Sequence, residues 1–168
     1  AAFSLLVSTF QPLVFRLAFR LLCDEDEAKD MVQETFVKVW LALGKYNGEC
    51  RFSTWIYKIT CNTCYDRLRS LYHSPLDNEA DYSVSVNISS DDNVELAVVN
   101  KQLRELILRY TDELSPRQRL IFTLRDIEEL DVPEVQTITG LSAGIIKTTL
   151  YLARKNIRNK MNQIDAGL

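Results

Sequence analysis

The segment DVPEVQTITGLSAGIIKTTLYLAR, residues 131–154, decides the expected fold. Asp131 followed three residues later by Glu134 is a capping-box spelling that starts a helix, and Gly140 interrupts it. Ser142 can then cap a final helix with Ile146, Leu150, Ala153, Ile157 and Met161 on one face. Two helices joined by a glycine-containing turn spell a helix-turn-helix, in which the second helix stands steeply and projects its first turns outward. Its outward face carries Ser142, Ala143, Gly144, Lys147, Thr148, Tyr151, Arg154 and Lys155. Small residues at the tip allow close approach to a major groove, and the three cations can neutralise phosphates. A plain helical hairpin with a solvated basic face fits the same spacing.

Working outward, Ser115-Pro116 pairs an N-cap with a first-turn proline, and a helix is expected from about Val94 to Tyr110. Tyr72 to Asn93 is rich in Ser, Asp and Asn, contains Pro75 and shows no apolar period, which predicts a flexible linker. Upstream, Pro12 is expected in the first turn of a helix running through Leu13, Leu17 and Leu21. Asp24 with Glu27 starts a second helix that Gly44 stops, with Ala28, Val32, Val39 and Leu43 on its core stripe and Asp30, Glu34 and Lys38 opposite. After a loop from Lys45 to Phe52, Ser53 can cap a third helix through Trp55, Ile56, Ile59, Tyr65 and Leu68, ending near Arg69. The reading is all-α: a helical module at 1–71, an acidic connector at 72–93 and a second module at 94–168. Partners rather than a common core are expected to set the modules' relative placement.

Composition agrees. Of 168 residues, 46% are hydrophobic and 26% charged, and five Gly and four Pro leave few breakers, which favours long helices over a many-turned β protein. The net charge of -3 excludes a protein that coats nucleic acid indiscriminately. Charge is local instead: residues 71–100 hold six acids and no Lys or Arg, between two nearly neutral flanks. The apolar stretch Phe3–Leu22 is broken by Gln11, Pro12, Arg16 and Arg20, so membrane insertion is not expected, and a cytoplasmic location is.

Other chemistry is sparse. Trp55, Tyr57 and Tyr65, interleaved with Lys58, Asn62, Arg67 and Arg69 and preceded by Glu49-Cys50-Arg51-Phe52, could stack and hold unpaired bases, although the same aromatics at helical spacing suit a core. Asp30 and Glu34 could hold a metal or act as a catalytic pair, but Lys38 continues their ladder, which favours a solvated or partner-binding face. Cys61 and Cys64 form a CxxC, yet a zinc site needs about four ligands and His73 is the sole histidine, so ordinary packing of reduced thiols is favoured over a metal or redox site. No Walker glycine loop, GxSxG or HExxH occurs, so no enzyme and no cofactor is expected.

Three strings together, DEDEAKDMVQETFVKVW from Asp24, FSTWIYKITCNTCYDRLR from Phe52, and LSPRQRLIFTLRDIEELDVPEVQTITGLSAGIIKTTLYLARK from Leu114, resemble bacterial sigma factors of the extracytoplasmic-function group. The resemblance covers both modules in order. It implies a non-catalytic subunit that binds core RNA polymerase, selects promoter DNA and helps open it, with an anti-sigma factor as a candidate partner. By position it implies polymerase docking by Asp30, Gln33, Glu34 and Lys38. It implies minus-ten recognition and capture of a flipped base by Glu49, Cys50, Arg51, Phe52, Lys58, Asn62, Asp66 and Arg69. Minus-thirty-five reading falls to the final helix, from Ser142, Ala143 and Gly144 through Lys147, Thr148, Tyr151, Arg154 and Lys155, and the acidic linker would thread a basic polymerase channel. Where the family usually carries arginines, this chain has Thr149 and Leu152, which implies a weaker grip on duplex. A stand-alone helix-turn-helix regulator is the rival reading, and it predicts tight duplex binding without polymerase.

Overall fold

Burial of one apolar face explains why the first 22 residues form a single helix. In a computed structural model describing residues 1–72, 101–102, 105–106, 109–111 and 113–167, α1 runs Ala2–Leu22 with Val14, Leu17, Ala18 and Leu21 buried. Pro12 therefore lies inside the helix, not in its first turn. Proline removes one backbone donor there, and packing against two neighbouring helices outweighs that loss. By length and apolar content α1 could also cross a bilayer. Its buried face against α2 and α3 is the simpler account of that composition.

Cys23 ends α1 in the left-handed region, φ 53°, and Asp24 starts α2, Glu25–Ala42, by accepting the Glu27 amide at 2.9 Å. The box is only half formed, because the Glu27 carboxylate is taken by Arg67 of α3 at 2.6 Å through both oxygens. A tight 3-10 turn, Leu43–Lys45, follows α2, so Gly44 sits within the turn and Leu43 is only half-buried. The third helix, α3, spans Phe52–Leu71 with Arg51 as its N-cap and no side-chain cap, so Ser53 lies in the first turn rather than capping it. A second apolar cluster, Val14, Val32, Phe36, Val39 and Ile56, closes this three-helix module.

Of the expected helix over Val94–Tyr110, residues 101–102, 105–106 and 109–110 are helical, and the remainder falls outside the described residues, as does nearly all of the acidic connector. Beyond it, Ser115 and Gln118 form a reciprocal capping box that opens α4, Pro116–Phe122. A π-helical turn at Thr123–Ile127 leads to α5, Val132–Thr139, opened by the Asp131–Glu134 box and ended by Gly140 at φ 73°. The last helix, α6, runs Ala143–Ala166 from a Ser142 cap. No strand occurs among the described residues.

The expectation of modules without a common core is corrected. Leu17, Leu21, Cys61, Cys64 and Leu68 share one apolar cluster with Leu120, Ile121, Leu124, Val135 and Ile138, and α3 packs directly against α4 and α5. The physical reason is length: α4 and α5 have seven and eight residues, too short to stand without a surface to cover their apolar sides. Each fully buried Leu or Ile contributes about 2 kcal/mol from removal of apolar area from water.

Candidate nucleic-acid interfaces and docking face

The polar side of α2 forms first. Asp30, Gln33 and Glu34 are exposed, and half-exposed Lys38 meets Glu34 at 3.0 Å and the Thr63 hydroxyl at 3.3 Å. The same side continues into apolar residues that sequence reasoning missed: Val37 and Trp40 are each 59% exposed and Leu41 is 72% exposed. Their helical spacing from Asp30 and Gln33 is the signal that would have found them. Phe3 supports Trp40 edge-on at 4.8 Å between ring centres. Half of the face is thus acidic and half is a hydrophobic patch of the kind that marks a protein contact.

On α3, Lys58, Asn62, Asp66 and Arg69 are all exposed and lie along one outward stripe. The preceding loop is fixed by Tyr46, whose hydroxyl donates to the Cys50 carbonyl at 2.7 Å, and Glu49 and Arg51 stand exposed beside it. Phe52 is partly buried in an aromatic group with Phe10, Tyr46 and Trp55, at centroid distances of 5.1 to 5.5 Å. Phe52 and Trp55 are each partly buried, and their rings brace the loop. Tyr65 packs on the core and against the Arg69 guanidinium, 5.7 Å from its ring centre. Cys61 and Cys64 are buried in the shared core. Burial pushes both thiols up, Cys64 to about 12, so they stay protonated and unreactive at neutral pH.

In the second module, Ser142, Gly144, Lys147, Thr148, Tyr151, Arg154 and Lys155 are exposed or half-exposed and Ala143 is half-buried, while Ile146, Leu150 and Ala153 anchor the opposite side. Thr149 is buried and Leu152 is 42% exposed. Arg154 is drawn sideways by Asp126 of the π-helical turn, at 2.8 Å and 2.6 Å. Lys147, Tyr151, Arg154 and Lys155 join Arg125 and Arg158 around a cleft of about 540 Å3. Five cations on one side suit an anionic backbone, and Arg125 and Arg158 extend the basic strip beyond the residues expected from sequence.

A polar contact joins the modules. Glu128, its side chain only 4% exposed, accepts from Arg20, from Arg16 at 3.3 Å and from the Tyr57 hydroxyl at 2.8 Å. Burial alone would raise this carboxyl; the Tyr57 hydroxyl and the two guanidinium groups outweigh it and hold the group below the ordinary carboxylate value. Burial and the bond to Glu128 in turn push Tyr57 up to about 12. Arg119 adds a second link, donating across the boundary to the Leu21 carbonyl at 3.3 Å and, within its own module, to the Thr111 carbonyl at 2.9 Å. Nothing in the local spelling around Glu128 announces this role.

Residues 6–73 match the family model described as Sigma-70 region 2, and residues 104–157 match that of Sigma-70, region 4. The chain is 30% identical to the ECF RNA polymerase sigma-E factor of Salmonella typhimurium, over 97% of this chain and 88% of that protein. Its fold is similar to CnrH, solved in complex with the cytosolic domain of CnrY (TM-score 0.67, 20% identity, covering 96% of this chain and 88% of that one). It is also similar to the sigma factor RpoE solved with the anti-sigma factor NepR from Bartonella quintana (TM-score 0.64, 21% identity, 96% and 97% covered). With region 2 borne by the α1–α3 module and region 4 by the helix-turn-helix module, the chain belongs to the extracytoplasmic-function family of RNA polymerase sigma factors.

Proposed function

We propose that this chain binds core RNA polymerase, carries it to particular promoters and promotes their opening, without a catalytic step or cofactor of its own. The observation that carries this reading is the pairing of two outward polar faces, the α3 stripe and the α6 face, on modules matched to sigma regions 2 and 4. In this reading α2 docks on polymerase through Asp30, Gln33, Glu34 and Lys38, with Val37, Trp40 and Leu41 supplying the apolar part of the contact. The loop residues Glu49, Cys50, Arg51 and Phe52 and the stripe Lys58, Asn62, Asp66 and Arg69 take the minus-ten element. A base leaves the stack there, at a cost of a few kcal/mol that contacts to the displaced base must return. The α6 face reads the minus-thirty-five element in the major groove.

The boundaries that accompany this reading are a polymerase-docking and minus-ten domain at 1–71, an acidic linker at 72–93 and a minus-thirty-five domain at 94–168, in a cytoplasmic protein. An anti-sigma protein is a further partner, in keeping with the solved relative held by such a protein. Transcription reconstituted from core polymerase, this chain and a library of genomic fragments tests the reading. Promoter-specific transcripts that require the chain are expected. Equal transcripts with and without it contradict the proposal.

A further inference from the structure

The cleft beside α6 extends further than a DNA-reading face needs. One wall is Arg125 of the π-helical turn and Val132 at the start of α5, and the other is the side of α6 from Lys147 to Asn159. Lys147 and Arg158 stand about 16 Å apart along the helix at about 1.5 Å per residue, and Arg158 lies roughly 22 Å from Ala143 at the tip. A major groove is only about 8.5 Å deep. The tip can therefore enter a groove while the outer half of the cleft stays clear of it.

Charge and lining together describe a ligand. Of the cations Arg125, Lys147, Arg154, Lys155 and Arg158, only Arg154 enters an ion pair among the described residues, with Asp126. Arg125 is pinned by donating to the Leu130 carbonyl, so its guanidinium is held at the wall and does not sweep through solvent. Like charges around a concave surface repel one another and focus the field, and an anion entering there gains from all of them. A single phosphate would leave most of that charge unmatched. The rest of the lining is of another kind: buried Leu150, half-buried Val132, and Tyr151, which is 66% exposed and meets no other aromatic ring among the described residues. Asn159 adds an amide that both donates and accepts. At about 540 Å3 the space falls within the roughly 300–1,000 Å3 of sites for small molecules.

We infer that this cleft binds a nucleoside polyphosphate, its phosphates on the five cations and its base against Tyr151, and that the bound nucleotide competes with duplex DNA for α6. A duplex backbone meets the cations as a row of phosphates, about one charge per 1.7 Å of axis. Its bases are turned inward and stacked, so it makes no use of an aromatic ring beside a phosphate site. A free nucleotide uses both. It covers Lys147, Tyr151, Arg154 and Lys155, which are the residues shared with the DNA face. The site itself is a property of the chain; the competition rests on the reading of α6 as the minus-thirty-five face.

Calorimetric titrations of the full chain at fixed salt, without divalent cation, use three probes: ATP, inorganic tripolyphosphate and adenosine. ATP is expected to saturate a single site, tripolyphosphate to bind about tenfold more weakly because it lacks a base to stack, and adenosine not to bind measurably. Tyr151→Ala is expected to bring ATP down to the affinity of tripolyphosphate. Arg158→Glu is expected to weaken both phosphate probes about tenfold through one lost charge-assisted contact. Both positions are exposed, so thermal melts matching wild type separate loss of the site from misfolding. A second arm follows a labelled duplex on the chain at low salt, and ATP at saturating concentration is expected to displace it where adenosine does not. Equal affinity for ATP and tripolyphosphate, or ATP binding that neither substitution alters, overturns the site. Duplex that stays bound while ATP saturates the chain overturns the competition. A chain that binds ATP as expected, yet takes up no duplex with or without polymerase, supports the site and shows the DNA reading of α6 to be the part at fault.

Discussion

The α3 and α6 faces are both outward, polar and mounted on buried apolar helices, yet they differ in how committed their side chains are. Along α3, Lys58 and Asp66 enter no ion pair among the described residues, and the arginine that does, Arg67, lies off the stripe and is held by Glu27. Along α6, Arg154 is engaged by Asp126 and exposed Leu152 adds an apolar residue, while Lys147 and Lys155 enter no ion pair among the described residues. In the proposed function, the first face would grip DNA with its charges free, and the second would gain the Arg154 contact only where Asp126 releases it. Promoter choice through α6 in that function rests on contacts from Lys147, Thr148 and Tyr151, with Lys155, Arg125 and Arg158 available to the phosphate backbone.

Changes on the first face should have the largest effect. Lys58→Ala with Asn62→Ala is expected to lower promoter opening by holoenzyme about a hundredfold, taking each lost contact as about 1–3 kcal/mol. The matching pair Lys147→Ala and Thr148→Ala is expected to lower it only about tenfold, because Lys155, Arg125 and Arg158 remain on that side. Permanganate footprinting of the melted region checks both, and equal losses from the two pairs would erase the asymmetry.

Next in size, Leu152→Arg should strengthen the second face. Duplex binding at low salt is expected to rise about fivefold, and the salt slope to steepen by about 0.9, the value for one added phosphate contact. An unchanged slope in titrations by fluorescence anisotropy would show that Leu152 faces something other than DNA. Asp126→Asn is expected to release Arg154 and raise duplex affinity about twofold to threefold, because an exposed ion pair contributes about 1 kcal/mol or less. No change, or a loss, would mean that Asp126 presents Arg154 to DNA instead of withholding it.

The smallest effect expected is acid sensitivity at Glu128. Its carboxyl titrates below the ordinary value of 4.5 in the folded chain, so its stabilisation is present above pH 4.5 and is lost as pH falls through the lowered value. Thermal melts of the wild type and Glu128→Gln should differ most near neutral pH and converge in acid. Parallel curves at all pH values would remove Glu128 from the interface.

Much of the fold is legible in the sequence because it rests on local rules. The boxes at Ser115–Gln118 and Asp131–Glu134, the Asp24 and Ser142 caps, and the left-handed Gly140 all follow from side chains within three residues of a helix end. The exposed stripes on α2, α3 and α6 are equally accessible, since spacing alone fixes a helical face. What is not legible depends on contacts distant in the chain. Pro12 survives inside α1 because α2 and α3 cover that helix, Glu27 abandons its cap for Arg67 forty residues away, and Glu128 gains its partners from α1 and α3. The packing of the Phe52 ring against Phe10 and Tyr46 is likewise a contact that local spelling does not give.

The most direct measurement of the central claim is anisotropy of a labelled promoter fragment titrated with this chain in the absence and presence of core polymerase at fixed salt. Weak, salt-sensitive binding by the chain alone, replaced by tight and sequence-selective binding once polymerase is added, is the predicted result. Tight selective binding by the chain alone, unaltered by polymerase, would contradict it and would support a regulator that works without the enzyme.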